Sequence, residues 1–286
     1  MARHSTGDHV PTVAACGVLA ATLAAILHEA VGHGIGCVAD GGSISLLTSI
    51  WFRCRGGFTL TDLGGPVASL LGGAAGLLVL RLARIGTAAR SSVLLFTAFS
   101  LFWFFGQLVF HAATDADDWA IVAHRHQWPW WWRPLAMAAG IAGYWASMRL
   151  MAGVVRAALP LGPHAILLGY LAGALSAGIA GLAWTPLPVR SGIEGLLTLG
   201  LAPIGLLAVA RRATPEPATR VSRSSAAMVA GVLLYAGFVL TMGRGIGELA
   251  GLGLTRASRT SPSISHASAP CARRWALRQS AGGMLD

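Results

Sequence analysis

The chain contains no lysine, and charged residues make up only 11% of its 286 positions. Soluble domains carry about 25% charged residues, so this scarcity excludes an ordinary cytosolic enzyme. A disordered protein is excluded on the opposite ground: 55% of the residues are hydrophobic, and disordered chains are poor in such side chains. The four cysteines, Cys16, Cys37, Cys54 and Cys271, form no C-x-x-C pair, so neither a disulfide framework nor a cysteine zinc knuckle is expected. The first eleven residues lack a compact basic region followed by a small-residue cleavage site, and the first apolar run is expected to be retained. There is no internal repeat. The formal charge of +10 comes from 21 arginines that bracket the apolar runs, where arginine snorkels to lipid headgroups. No basic stripe with interleaved aromatics accompanies them, so a nucleic-acid partner is not expected.

What the chain does have is apolar length. Crossing about 30 Å of hydrocarbon takes roughly 20 apolar residues in a helix. Six or seven segments approach that, at residues 10–38, 64–84, 92–113, 134–158, 164–184, 192–210 and 226–242. The expected fold is all-α, a polytopic transmembrane helical bundle in contact with a lipid bilayer. Between the first two runs, stretches such as Ser43-Ile44-Ser45-Leu46-Leu47 alternate polar and apolar side chains, which predicts a short β-hairpin or a re-entrant segment against the bundle. Trp128, Trp130, Trp131 and Trp132 beside Arg133 read as an interfacial anchor. Gly72 with Gly76, and Gly169 with Gly173, have the spacing that lets membrane helices approach closely. Residues 256–286 are rich in Ser, Arg, Ala and Pro without an apolar period and read as a disordered tail. Ten arginines against five favour a cytoplasmic N-terminus under the positive-inside rule. Arg244 and the five tail arginines offset that margin and leave the sidedness open.

The local signal with chemical content is Leu27-His28-Glu29-Ala30-Val31-Gly32-His33. Two imidazoles and a carboxylate at the end of an apolar run are expensive in lipid, and ionisable residues there are functional by default. The zinc-protease pattern H-E-x-x-H places its histidines four apart on one helix face, with the glutamate as general base. Here the histidines are five apart, about 500° on a regular helix, so the rings would diverge by about 140°. A π-bulge absorbs one such residue, and Gly32 makes the local deformation cheaper. Zinc needs a third protein ligand and keeps a position for water. The first and third spans run in the same direction, so His28 and His33 emerge at the level of Asp115, Asp117 and Asp118, and of Gly65-Pro66 at the start of the second span.

In this order of motifs the chain resembles the site-2 protease family of intramembrane zinc metalloproteases. That family has an H-E-x-x-H helix, a G-P-x-x-N helix start and an aspartate ligand entering a later helix. The counterparts here are His28-Glu29 with His33, Gly65-Pro66 with Ser69 in place of the asparagine, and Asp118-Trp119 where the family has aspartate and glycine. The displaced second histidine is similar to the H-E-x-x-G-H variant of the dipeptidyl-peptidase III family. The resemblance spans residues 20–123 and implies that His28, His33 and Asp118 hold Zn2+, with Asp115 as the alternative third ligand and Glu29 as the catalytic acid–base. His111 reads as packing, with a role as ligand or ligand partner left open. His124 and His126 read as interfacial polar residues, and Cys37 as a buried inert thiol.

The expected domain organisation is a metallopeptidase-like core over 1–123, additional transmembrane helices over 124–255, and the tail. The expected function is a zinc-dependent endopeptidase in a bacterial-type cell membrane, cleaving transmembrane or membrane-proximal protein substrates. Residues 39–62 would present the substrate in extended form by strand addition. A non-catalytic homologue is the alternative reading, and a transporter or metal-handling membrane protein the third.

Overall fold

The computed structural model describes residues 8–157, 161–213 and 220–247. The expected tail lies outside these residues. The first helix, α1 (Val10–Ala39), is followed by an antiparallel hairpin of β1 (Ser43–Leu47) and β2 (Phe52–Arg55), with a register shift between Ile44 and Leu46. Then come α2 (Thr59–Leu82), α3 (Thr87–Thr114), the short α4 (Asp118–Arg125), α5 (Trp132–Ala157), α6 (Pro163–Leu182), α7 (Pro188–Arg211) and α8 (Ser225–Gly243). The fold is an all-α polytopic bundle. Six helices (α1, α2, α3, α6, α7 and α8) are long and apolar enough to cross a membrane.

Helix α5 carries more charge but runs antiparallel along α3. At its start Arg133 donates to the Ala112 and Ala113 carbonyls at 2.7 and 3.0 Å, and further along the Tyr144 ring meets Phe102. The alternation of direction is closed at both ends of the bundle. His9 N donates to the Val221 carbonyl at one end, while Leu47 and Ile246 exchange backbone hydrogen bonds at the other.

Helix α3 is the central pillar, with Phe99 and Phe102 fully buried among Ala20 and Ala24 of α1, Ile166 of α6, and Leu206 and Val209 of α7. Small residues set how near the helices come. A Cβ on Gly17 of α1 would overlap the Gly169 carbonyl of α6, and one on Gly173 would lie 2.6 Å from the Phe99 ring. Helix α7 is broken near Pro203. Tyr144 Oη donates to the Ala202 carbonyl and accepts from Gly205 N, and Tyr170 Oη donates to the Gly200 carbonyl. Irregular backbone at membrane depth persists when its polar groups are satisfied in this way.

Three expectations are corrected. Helix α2 begins at Thr59, not at Gly64, because Asp40 caps it from outside. Its Oδ2 accepts from Phe58 N, Thr61 N and Thr61 Oγ1 at 2.7, 2.8 and 2.8 Å. Burial pushes the Asp40 carboxyl up, but the donors from Thr61 and Phe58 outweigh it and hold the group below its ordinary value. Cys37 is not an inert thiol: it forms a disulfide with Cys54, tying the end of α1 to β2. Spacing concealed the pair, since sequence separation does not show which residues a hairpin folds back upon. In the tryptophan cluster Trp128, Trp130 and Trp131 are exposed, but Trp132 is buried beside Ala112, Ala120 and Ala123.

Candidate metal centre

Residues Ile26–His33 of α1 form a π-helix. Its i→i+5 hydrogen bonding widens the turn, so that residues five apart share a face. His28 Nε2 and His33 Nε2 are consequently 3.2 Å apart, with both side chains buried. Close backbone contact with α2 gives this segment its position. A Cβ on Gly32 would sit 2.7 Å from Gly65 Cα, and one on Gly64 would overlap the Gly32 carbonyl. At Gly65 a Cβ would overlap His33 Nε2 and lie 2.6 Å from His28 Nε2. The missing side chain of Gly65 is the floor beneath both imidazoles.

The carboxylate arrives from the turn between α3 and α4. Asp115 closes α3 in the left-handed region (φ 55°), a conformation aspartate tolerates better than most residues, and Asp117 also has positive φ (71°), there with an extended ψ. The reversal points Asp118, at the first turn of α4, back at the histidines. Its Oδ2 lies 3.9 Å from His28 Nε2 and 3.8 Å from His33 Nε2. Burial, reinforced by the neighbouring Asp117, pushes the Asp118 carboxyl well above its ordinary value, against a smaller lowering by His111. A cation at this point would relieve the cost that burial imposes on the charged form.

His28, His33 and Asp118 form a buried group able to hold a metal ion. Zinc–ligand bonds of about 2.0–2.1 Å at tetrahedral angles put ligand atoms about 3.3 Å apart, so the histidine pair matches and the carboxylate needs to close by about half an ångström. Both imidazoles have their other nitrogen engaged by oxygen: His28 Nδ1 with Ser69 Oγ at 2.9 Å, and His33 Nδ1 with the Thr61 carbonyl at 2.7 Å. The Thr61 carbonyl only accepts and so fixes the His33 tautomer that leaves Nε2 for a metal, while the Ser69 hydroxyl is able to accept from His28 Nδ1 in the same tautomer. Trp103 stacks on His28 (4.0 Å between centroids) and Phe52 of β2 lies over His33 (5.4 Å), so aromatic faces wall the site. Two histidines and a carboxylate are a donor set of catalytic zinc, with one position left for water or substrate.

Glu29 lies between these ligands in sequence, 4% exposed, with its carboxyl in electrostatic reach of His33 and Asp118. Asp115 is not brought to the histidines; it pairs with His124 at 3.1 Å and with Arg133 at 3.8 Å. His111 does not join the cluster either. Its Nε2 lies 3.4 Å from Asp117 Oδ2 and its Nδ1 accepts from Trp119 N, which steadies the turn carrying Asp118. His126 contacts Thr59 Oγ1 on the exposed rim.

Sequence reasoning passed over Ser69 as a histidine partner, the Thr61 carbonyl, and Gln107 of α3, whose Nε2 is 3.4 Å from His28 Nε2. A backbone carbonyl leaves no signal in sequence. Gln107 left one, as a lone amide in the apolar run from Leu101 to Phe110. Comparison of the chain with protein families, with curated proteins and with solved structures gave no match.

Proposed function

We propose that this chain is a zinc-dependent endopeptidase embedded in a membrane, cleaving membrane-protein substrates. The observation that carries the reading is the convergence of His28 Nε2, His33 Nε2 and Asp118 Oδ2, with Glu29 buried in the same turn of α1. A divalent cation on these three atoms supplies Lewis acidity toward a scissile carbonyl and lowers the pKa of water. Glu29 takes the proton of the attacking water on a carboxylate oxygen and returns it to the nitrogen of the departing amine. Ser69 and Thr61 hold the imidazoles at fixed tilt, and Trp103 and Phe52 exclude bulk water. Strand β2 is the surface for an extended substrate, because Phe52 brings it against His33 and the outer edge of β1 is already bonded at Leu47 by Ile246.

The same face is assigned to the oxidising side of the membrane. Cys37 lies four residues past His33 and is disulfide-bonded to Cys54 of the hairpin, and disulfides persist in oxidising compartments. Substrate segments would therefore be those exposed outside the cytoplasm.

The test is metal analysis and cleavage of a transmembrane-substrate library by wild type, Glu29→Gln and His33→Ala. Near-stoichiometric zinc in wild type and Glu29→Gln, its loss in His33→Ala, and cleavage by wild type alone are expected. Zinc without cleavage in wild type would instead identify a non-catalytic metal protein. For the orientation, an impermeant maleimide applied to intact cells should label Cys54 only after an impermeant reductant; labelling confined to inverted vesicles would reverse it.

A further inference from the structure

The Gln107 side chain is 8% exposed and points from α3 into the metal centre. Its Nε2 is 3.4 Å from His28 Nε2, while its Oε1 is fully buried with no hydrogen-bond partner. An orphaned buried acceptor is rare, because it forfeits water without replacement. A carboxamide inside a membrane helix is costly for the same reason and marks function by default. The nitrogen–nitrogen contact accommodates one proton against one lone pair, and a cation on His28 Nε2 takes that lone pair. The amide N–H is then free to donate to an oxygen that shares the cation. Ser69 does not provide such a group, since its hydroxyl is on the opposite side of the ring, at His28 Nδ1.

We infer that Gln107 is a further catalytic residue, donating a hydrogen bond from Nε2 to the scissile carbonyl oxygen as that oxygen becomes negative. This rests on the endopeptidase reading. In the step, the water oxygen bonds to the carbonyl carbon, the carbonyl π pair moves onto oxygen, and the water proton passes to Glu29. The Gln107 amide holds the oxyanion until the C–N bond breaks and Glu29 protonates the amine.

The experiment uses the purified full chain with Gln107→Leu and the near-isosteric Gln107→Met. Zinc content, acetohydroxamate affinity of the zinc-loaded protein and steady-state cleavage are measured. Gln107→Leu is expected to retain zinc, to bind acetohydroxamate about tenfold more weakly, and to lose on the order of 10²–10³ in kcat with KM little changed, the range seen when one oxyanion donor is removed. Gln107→Met, which is close in volume and has no donor, should lose kcat similarly. Unaltered acetohydroxamate affinity with zinc retained overturns the inference, as does zinc loss in both variants, which would make Gln107 a support of the ligands. Wild-type protein without zinc, or Glu29→Gln as active as wild type, defeats the endopeptidase reading instead. The acetohydroxamate measurement reads the amide donor independently of turnover.

Discussion

His28 Nε2 and His33 Nε2 stand 3.2 Å apart although five positions separate them in sequence. The π-helical turn Ile26–His33 is what reconciles the two. A π-bulge amounts to one residue more than a regular turn needs, and Val31 is a partly exposed residue within it (39%). Deleting Val31 should restore a regular helix with the histidines four apart, leaving zinc bound near one per chain and its affinity within about tenfold. Metal titration of the purified variant checks this. Loss of zinc from a folded deletion variant would show that the bulge itself aims the rings.

Ser69 holds His28 through Nδ1. Ser69→Ala removes that partner and should weaken zinc binding about 10–100-fold, the usual cost of losing a ligand's supporting hydrogen bond. Competition with a chelator of known affinity gives the number. Equal affinities would mean that Trp103 stacking alone orients the ring.

Gly65 has a different role, since any side chain there collides with both imidazoles. Gly65→Ala should drop zinc from about one to about zero per chain, because no ligand distance near 2 Å survives a displaced ring. Gly86→Ala is the matched control, as a Cβ there meets nothing within 4 Å. Full zinc occupancy in Gly65→Ala would show that the rings move aside cheaply.

Asp40 joins the end of α1 to the start of α2 through three hydrogen bonds to its carboxylate. With the folded group held below its ordinary value, its contribution is fully present above the unfolded aspartate pKa of about 3.9 and is lost as pH falls through the folded value. Asp40→Asn should therefore lower stability by about 1 kcal/mol at neutral pH, in the range of a lost helix cap. The gap to wild type should shrink below about pH 4, where the wild-type carboxyl protonates too. Thermal unfolding at several pH values checks the trend; a gap that does not change with pH would assign the effect to packing.

The resolution of the sequence was uneven, and the reasons are physical. The membrane helices were legible because apolar length is a property of each segment alone. The aspartate cluster at 115–118 was legible because parity of the spans returns α3 to the side where α1 ends. The cap from Asp40, and with it the start of α2 at Thr59, was not, since the partners lie 18 to 21 residues apart and meet only across a folded hairpin. The Cys37–Cys54 bond was hidden for the same reason.

The sequence by itself determined the bundle, the membrane as solvent, and the depth at which two imidazoles, Glu29 and an aspartate cluster would collect, because hydropathy and helix geometry act residue by residue. Only the tertiary structure decided which aspartate faces the histidines, that Ser69 and Thr61 hold their far nitrogens, and that Gln107 enters the site. Those choices depend on the touching backbones at Gly32, Gly64 and Gly65 and on two positive-φ aspartates in one turn. Contact between distant segments is set by packing, and packing is not written in any one segment.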